Sequence, residues 1–166
     1  VSPHQIFSMG AVRVGIEICQ DLWAAQEPSS LLALKGANVI LNLSASNEVV
    51  GKAAFRKKLV EVQSQKLHCA YVYISSGVYE SSKDTVFSGH TMVAELGTML
   101  AEVLPFEQVH SHLTVDVDIE RILTSRTKDI CYLESVDQPS VAHPIVTHSI
   151  SAKAPVLNEL QRKVEL

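Results

Sequence analysis

The sequence lacks three features that would each define a class of protein: a long apolar run, an excess of one charge, and paired cysteines. No apolar stretch approaches the ~20 residues that cross a bilayer, and no signal peptide is visible at the N-terminus. The net charge is −4 with both signs interspersed, so we expect no basic surface for nucleic acid or anionic membrane. These absences predict a soluble cytoplasmic protein.

Cysteine is scarce, and its placement limits the chemistry. Cys19, Cys69 and Cys131 are an odd set, far apart and without a CxxC pair. This argues against a zinc site and against a disulfide framework, and it favours a reducing compartment. His110 and His112 share one face of a predicted strand, as metal ligands can, but no third ligand is adjacent. We therefore predict no metal site.

The sequence does contain enough apolar residues for one packed domain. Of its 166 residues, 46% are apolar and 19% are charged, which is typical of a globular chain. The chain starts at Val1 rather than at Met, and a strand pattern follows almost at once, so we expect it to be part of a longer protein. The pattern strand–helix–strand–helix–strand, followed by three strands, predicts an α/β sandwich with mixed strand directions.

The predicted elements follow from hydrophobic periodicity and from turn residues. Strands are predicted at 12–19, 38–43, 70–75, 86–95, 99–103 and 110–118, and helices at 31–35, 51–67, 118–123 and 156–166. The first nine residues are predicted to be irregular. We expect a serine N-cap and a stop at Gly36 for the first helix, and a cap at Asp118 for the third. The second helix has one stripe of helically spaced residues: Phe55, Leu59, Val62 and Lys66.

The strand predicted at 12–19 ends in Cys19, and this cysteine has two possible roles. Cys19 shares a strand face with Arg13, Gly15 and Glu17, apart from the plain apolar face. A free cysteine is most often a small buried hydrophobe. At the end of a strand that turns toward a helix, however, a cysteine can be a nucleophile, because backbone N–H groups stabilise both thiolate and oxyanion.

Small polar residues follow three predicted strands, at 19–21, 44–47 and 75–77. In open α/β sheets ligands bind outside the carboxyl ends of the strands, and here Lys52 and Arg56 arrive from the next helix. A thiol, several donors and two cations suit acyl transfer on a substrate that carries a carboxylate. The candidate bases are His68 and His90, although no spacing rule relates either one to the cysteine.

Longer motifs, in a fixed order, resemble a known family. Residues 15–23, GIEICQDLW, resemble the nucleophile segment of the nitrilase, or carbon–nitrogen hydrolase, superfamily. Residues 42–47, NLSASN, followed by Gly51, Lys52 and Arg56, resemble more narrowly the glutaminase domain of glutamine-dependent NAD+ synthetases. The resemblance covers roughly 7–126, with further matches at Tyr71, Tyr73, Gly77, Glu80, Asp84 and His90.

The resemblance implies a fold and a reaction. The fold is a four-layer α-β-β-α sandwich, truncated at its N-terminal side, with 1–126 as the C-terminal portion of the hydrolase domain. Residues 127–166 are then a tail that packs on the domain or on a partner subunit. The reaction uses a Glu-Lys-Cys triad in which the thiolate of Cys19 attacks the side-chain amide of glutamine, releases ammonia and forms a thioester that water hydrolyses. A separate synthetase domain uses the ammonia and ATP to amidate nicotinic acid adenine dinucleotide.

The resemblance also implies substrate contacts and partners. Ser46 and Lys52 match contacts for the α-amino and α-carboxylate groups of glutamine, and Gln20 and Trp23 line the same pocket. Arg56 is either a further ligand or a member of a helix ion pair. The hydrolase domain requires no cofactor, whereas ATP and Mg²⁺ belong to the synthetase domain. We also expect a homo-oligomer.

The sequence departs from the family pattern in two respects. The Glu and Lys of the triad lie upstream of the cysteine in the family, and the chain begins after those positions. Gln20 stands where the family typically has Glu. Two other functions therefore stay open: a stand-alone nitrilase-type amidase of other specificity, and a catalytically silent fragment that serves in assembly.

A cysteine nucleophile without its base and its cation is a poor catalyst, so we expect little or no glutaminase activity from this chain alone. The measurement is ammonia release from glutamine, with Cys19→Ala as the control. Turnover that Cys19→Ala abolishes would contradict this expectation.

Overall fold

The computed structural model describes residues 3–107, 112–138 and 144–151. Its strands are β1 (Gln5–Met9), β2 (Val12–Ile18), β3 (Val39–Ser44), β4 (Ala70–Ser75), β5 (Thr91–Glu95), β6 (Thr98–Val103) and β7 (Val146–Ser149). Its helices are α1 (Pro28–Leu34), α2 (Lys52–Lys66), α3 (Ile119–Lys128) and α4 (Ile130–Val136). Two short 3₁₀ turns lie at Cys19–Trp23 and Val78–Glu80.

The seven described strands form one mixed sheet in the order β6-β5-β4-β3-β2-β1-β7. The central strands β2, β3 and β4 are parallel, with α1 and α2 as their connections. Antiparallel pairing joins β1 to β2 on one side and β4, β5 and β6 on the other, while β7 pairs parallel with β1. The carboxyl ends of β2, β3 and β4 therefore meet at one edge of the sheet, where ligands bind in open α/β folds.

The helices α1 and α2 pack on one face of this sheet. Ile40 of β3 and Tyr71 of β4 are register partners on that face, and they share a buried core with Leu32 of α1 and Val60 of α2. No helix in the described part of the chain is long and apolar enough to cross a membrane. The predicted mixed α/β fold is confirmed.

The opposite face of the sheet is apolar but exposed at the same edge. Ile18, Leu43 and Ile74 are 59%, 47% and 42% exposed. The apolar side chains predicted for the first strand lie on this face, while Gly15 and Glu17 face the helices. Of the four layers that the resemblance implies, the described residues thus supply one sheet and one layer of helices.

Two buried side chains attach α3 and α4 to the core. The guanidinium of Arg126 donates to the carbonyls of Ala37 at 2.6 Å and His68 at 2.9 Å, and lies 5.1 Å from the ring centroid of Tyr132. The hydroxyl of Tyr132 donates to the carbonyl of Ala33 in α1 at 2.8 Å. Helix α4 therefore packs on the same core as the preceding residues.

The prediction of an irregular N-terminal segment was wrong. Gln5–Met9 forms β1, which reaches β2 through a two-residue turn in which Gly10 has φ +61°. A strand of only five residues offers too little alternation to stand out from an irregular segment. Its pairing with β2 and β7, and the burial of Ile6, stabilise it in the fold.

Other elements begin or end at residues that differ from those predicted. Helix α1 begins at Pro28 with Glu27 as its N-cap, rather than at a serine cap, because proline fits the first helical position. Asp118 caps α3 as predicted, but the helix continues to Lys128. The strand predicted at 86–95 is limited to β5, and residues 112–118 form no strand. The predicted helix at 156–166 and residues 108–111 lie outside the described residues.

The predicted apolar stripe of α2 is not its buried face. Phe55 and Val62 are more than half exposed. The buried positions of the helix include Arg56 and Gln63, which have polar partners outside the helix. Nη2 of Arg56 donates to Oε2 of Glu48 at 2.7 Å, and Nε2 of Gln63 donates to Oε1 of Glu27 at 2.7 Å. Because these partners come from distant parts of the chain, apolar periodicity could not identify this face.

The approach of α1 to the sheet depends on Gly15. A Cβ at this position would lie 3.0 Å from Cδ1 of Ile40 and 3.1 Å from Cβ of Leu32. We expect Gly15→Ala to lower the free energy of unfolding by about 1–3 kcal/mol, because both neighbours must move. Gly77→Ala is the matched control, since no atom lies within 4 Å of the added Cβ. Equal effects in urea or thermal unfolding would contradict this account.

Candidate active site

The nucleophile candidate lies at a sharp turn after β2. Cys19 has φ +50°, in the left-handed region, where a residue other than glycine carries backbone strain. The 3₁₀ turn Cys19–Trp23 follows directly, and the carboxylate of Asp21 accepts a hydrogen bond from the backbone N–H of Ile18 at 2.8 Å. The half-buried thiol thus stands at the carboxyl edge of the sheet.

Cys19 borders a cavity of about 580 Å³. Its walls come from the turn after β2, the loop after β3, the start of α2 and the segment before β5. They consist of Cys19, Gln20, Trp23, Ala45, Ser46, Asn47, Lys52 and Thr85. Five of the six site residues expected from the sequence therefore surround one cavity: Cys19, Gln20, Trp23, Ser46 and Lys52.

Lys52 contributes the positive charge of this lining. Its Nζ donates to the carbonyl of Asn47 at 2.8 Å and to Oδ1 of the same residue at 2.9 Å, and lies 5.5 Å from the ring centroid of Trp23. The Trp23 ring lies in turn 5.7 Å from the ring of Phe55. An ammonium group has three donors, so one remains for the carboxylate of a ligand.

Arg56, the sixth expected site residue, is not on the cavity wall. It is fully buried, its Nη2 lies 2.7 Å from Oε2 of Glu48, and its Nε donates to Nδ1 of His90 at 3.1 Å. Its guanidinium also lies 5.6 Å from the ring centroid of Tyr73. Of the two roles that the sequence left open for Arg56, the structure shows the ion pair.

His90 extends this buried cluster and is held neutral by it. Because Arg56 donates to Nδ1, the ring hydrogen lies on Nε2, which is 3.0 Å from Oε1 of Glu102. Burial lowers the pKa of His90, the bond to Glu102 opposes this change, and the nearby Arg56 adds to it. Since both ring nitrogens are occupied, His90 is a poor candidate for the base that activates Cys19.

His68 is not at the cavity either. It precedes β4 and so lies at the opposite end of the parallel strands. Its Nδ1 lies 2.7 Å from Oγ of Ser125 and its Nε2 3.3 Å from Oδ2 of Asp129. Among the described residues, no three His, Cys, Asp or Glu side chains are grouped to hold a metal ion. His110 lies outside the described residues.

Sequence reasoning missed Glu17, a carboxylate only 1% exposed and two residues before Cys19. Its Oε2 accepts from the backbone N–H of Ser29, at the start of α1, at 3.0 Å. Its Oε1 accepts from the hydroxyl of Tyr71 and, at 3.4 Å, from Nδ2 of Asn42. The sequence contained one signal for Glu17: an acidic side chain on the strand face that packs against helices. A charge buried there is stable only when hydrogen-bond donors surround it.

The Glu17 cluster reaches the backbone of Cys19. Nδ2 of Asn42 lies 3.4 Å from the Cys19 carbonyl as well as from the Glu17 carboxylate. Burial raises the pKa of Tyr71, and the charge of Glu17 raises it further, so the phenol keeps the proton that it donates. The buried hydrogen bonds of Glu17, Tyr71 and Asn42 thus stabilise the strained turn at Cys19.

We expect Glu17→Gln to lower the free energy of unfolding by about 1–3 kcal/mol, because an amide NH₂ would face either the Ser29 N–H or the Asn42 NH₂. Glu80→Gln, at an exposed position, is the control. Urea unfolding of both variants gives the comparison. If Glu17→Gln is as stable as the parent, the buried carboxylate does not support the turn.

Comparison with known proteins finds relatives in sequence and in structure, although no family model matches the chain. The glutamine-dependent NAD(+) synthetase of Mycobacterium tuberculosis is 37% identical over 113 residues, 68% of this chain and 17% of that protein. A structure of glutamine-dependent NAD+ synthetase from Acinetobacter baumannii has a TM-score of 0.58 at 24% identity, covering 64% of this chain and 20% of that one. A carbon–nitrogen hydrolase from Helicobacter pylori G27 has a TM-score of 0.66 at 19% identity, covering 84% and 50%.

The two kinds of comparison support different statements. The structural matches establish the fold. The sequence match runs through most of the chain, which spans 17% of the length of that curated relative. Together they confirm the resemblance stated from the motifs: the chain is homologous to a segment of the glutamine-dependent NAD+ synthetases, and its fold is that of the carbon–nitrogen hydrolases.

Proposed function

We propose that this chain forms the cysteine-bearing part of a glutaminase domain, which hydrolyses the side-chain amide of glutamine and supplies ammonia for NAD+ synthesis. The observation that carries the proposal is the left-handed Cys19 on the rim of a cavity that Ser46 and Lys52 also line. The relatives named glutamine-dependent NAD(+) synthetase support the choice of substrate.

In the proposed reaction, the thiol of Cys19 gives its proton to a base and the thiolate attacks the amide carbon. The amide nitrogen takes up a proton and leaves as ammonia, and a glutamyl thioester remains. Water then hydrolyses the thioester to glutamate and regenerates the thiol. In the triad that the resemblance implies, a Glu is the base and a Lys stabilises the oxyanion, and both lie upstream of the cysteine.

The cavity fits a small amide that carries a carboxylate. Lys52 pairs with the α-carboxylate of the substrate, and a charge-assisted hydrogen bond of this kind contributes about 1.5–3 kcal/mol. Ser46 accepts from the α-ammonium group, and Trp23 packs against the aliphatic part of the substrate. Gln20 offers an amide where a carboxylate would bind the ammonium group more strongly.

The remaining proposals concern the molecular context. Residues 1–126 are the C-terminal portion of the hydrolase domain, and 127–166 are a tail that packs on it or on a partner subunit. The hydrolase step uses no cofactor, and ATP and Mg²⁺ act at a synthetase domain that receives the ammonia. The protein is a cytoplasmic homo-oligomer.

One observation favours a second candidate, a nitrilase-type amidase of other specificity. In the cavity lining, Lys52 can pair with a carboxylate of the substrate. Gln20 has an amide where Glu would have a carboxylate, so the lining residues offer no negative charge to the ammonium group of glutamine. An ω-amide that lacks the α-amino group would lose little in such a site. Comparing glutamine with its deaminated analogue as substrates separates the two candidates.

The test of the proposed function is ammonia release from glutamine by the full-length protein. We expect Cys19→Ala to abolish release, and Lys52→Met to raise KM about tenfold or more, because the carboxylate loses its charged partner. Lys58→Met is the matched control, since Lys58 is exposed on the same helix. Release that survives Cys19→Ala would overturn the proposal.

A further inference from the structure

We propose that Glu48 and Arg56 are positioning residues for the cavity: their buried ion pair fixes the loop that carries Ser46 and Asn47 against α2, and thereby determines where Lys52 meets the substrate carboxylate. The inference rests on the proposed amide hydrolysis. It deepens that proposal by naming residues outside the cavity that determine affinity for the substrate.

A single carboxylate joins the segments that form three of the cavity walls. Glu48 follows Asn47 in the loop after β3, and its Oε2 accepts from Nη2 of Arg56 at 2.7 Å and from Oγ of Ser88 at 2.5 Å. Its backbone N–H donates to the carbonyl of Val86 at 2.7 Å. The loop is thus tied both to α2 and to the segment that continues from Thr85, a further cavity residue.

The same loop and helix are joined a second time by an exposed contact. Lys52 lies one turn before Arg56 on α2, and its ammonium group donates to the carbonyl and side chain of Asn47. Water and a ligand carboxylate can compete for this exposed contact, whereas they cannot reach the fully buried Arg56. When a substrate draws Lys52 toward its carboxylate, the Glu48–Arg56 pair keeps the loop in place.

The orientation of Arg56 is fixed from its other side as well. Its Nε donates to Nδ1 of His90, whose Nε2 faces Glu102, and Glu102 accepts from Lys57 of α2. The Tyr73 ring lies 5.6 Å from the guanidinium carbon. A lysine has neither the planar fork nor the second nitrogen needed for this set of contacts, so Arg56→Lys removes the geometry while keeping the charge.

Stability alone does not account for a charge pair at this position. Within the described residues, Oε1 of Glu48 and Nη1 of Arg56 are buried and have no hydrogen-bond partner. Buried pairs of this kind contribute little net stability over apolar side chains of the same volume, and in some proteins they are retained because they restrict geometry. Burial raises the pKa of Glu48, yet the bonds from Ser88 and Arg56 outweigh it and the net pKa is lowered, so the carboxylate stays charged at neutral pH.

The experiment compares Arg56→Lys and Glu48→Gln with the parent in the full-length protein, measuring kcat and KM for glutamine. We expect KM to rise about tenfold in both variants while kcat changes by less than about threefold. Glu48→Gln is isosteric, so it keeps the test available if Arg56→Lys does not fold.

Arg126→Lys is the matched control, because Arg126 is also buried but donates to carbonyls at the opposite end of the strands. We expect it to lower the Tm and leave KM unchanged. If the Glu48 and Arg56 variants shift KM no more than Arg126→Lys does, the inference is wrong.

A second readout does not depend on turnover. Alkylation of Cys19 by iodoacetate, relative to neutral iodoacetamide, reports how well the cavity presents Lys52 to a carboxylate. We expect this ratio to fall at least about threefold in Arg56→Lys and Glu48→Gln but not in Arg126→Lys. Absence of glutamine turnover in the parent would overturn the proposed function, whereas an unchanged alkylation ratio would overturn this inference.

Discussion

The carboxylate of Glu17 is buried where β2, β3, β4 and the start of α1 meet, and the end of the sheet that carries Cys19 depends on its hydrogen bonds. A buried anion is tolerated only when donors surround it. Here the donors are a helix N-terminal N–H, a phenol and an amide, each from a different element. These hydrogen bonds fix the positions of α1, β3 and β4 relative to β2. The turn at Cys19 therefore begins at a rigid strand end.

Two kinds of polar contact surround the cavity, and they have different roles. Buried contacts, such as those of Glu17 and the Glu48–Arg56 pair, exclude water and hold strands, helix and loop in one geometry. The exposed contact between Lys52 and Asn47 is available for exchange with a ligand. A binding site for a small carboxylate requires a charged side chain that can change partners and rigid elements that hold it in position.

The sequence predicted those parts of the site that depend on local pattern. Cys19, Ser46 and Lys52 meet because parallel strands end at one edge, a consequence of topology alone. Helix bounds near Asp118 followed from its capping side chain. The role of Arg56 could not be settled, because its two partners come from separate elements: Glu48 lies in the preceding loop, and His90 lies 34 residues away and becomes a neighbour only in the folded chain. The same applies to β1, whose pairing with β7 joins Gln5 to Val146.

The exposed apolar face of the sheet has a consequence for how the chain behaves in solution. Ile18, Leu43 and Ile74 lie on neighbouring strands, so their side chains form one continuous surface and not scattered contacts. Water in contact with such a surface favours any process that covers it, whether by another segment of the polypeptide or by a second molecule. Where a second copy of the chain covers the surface, the apparent stability depends on protein concentration, and a melting temperature has meaning only when that concentration is given.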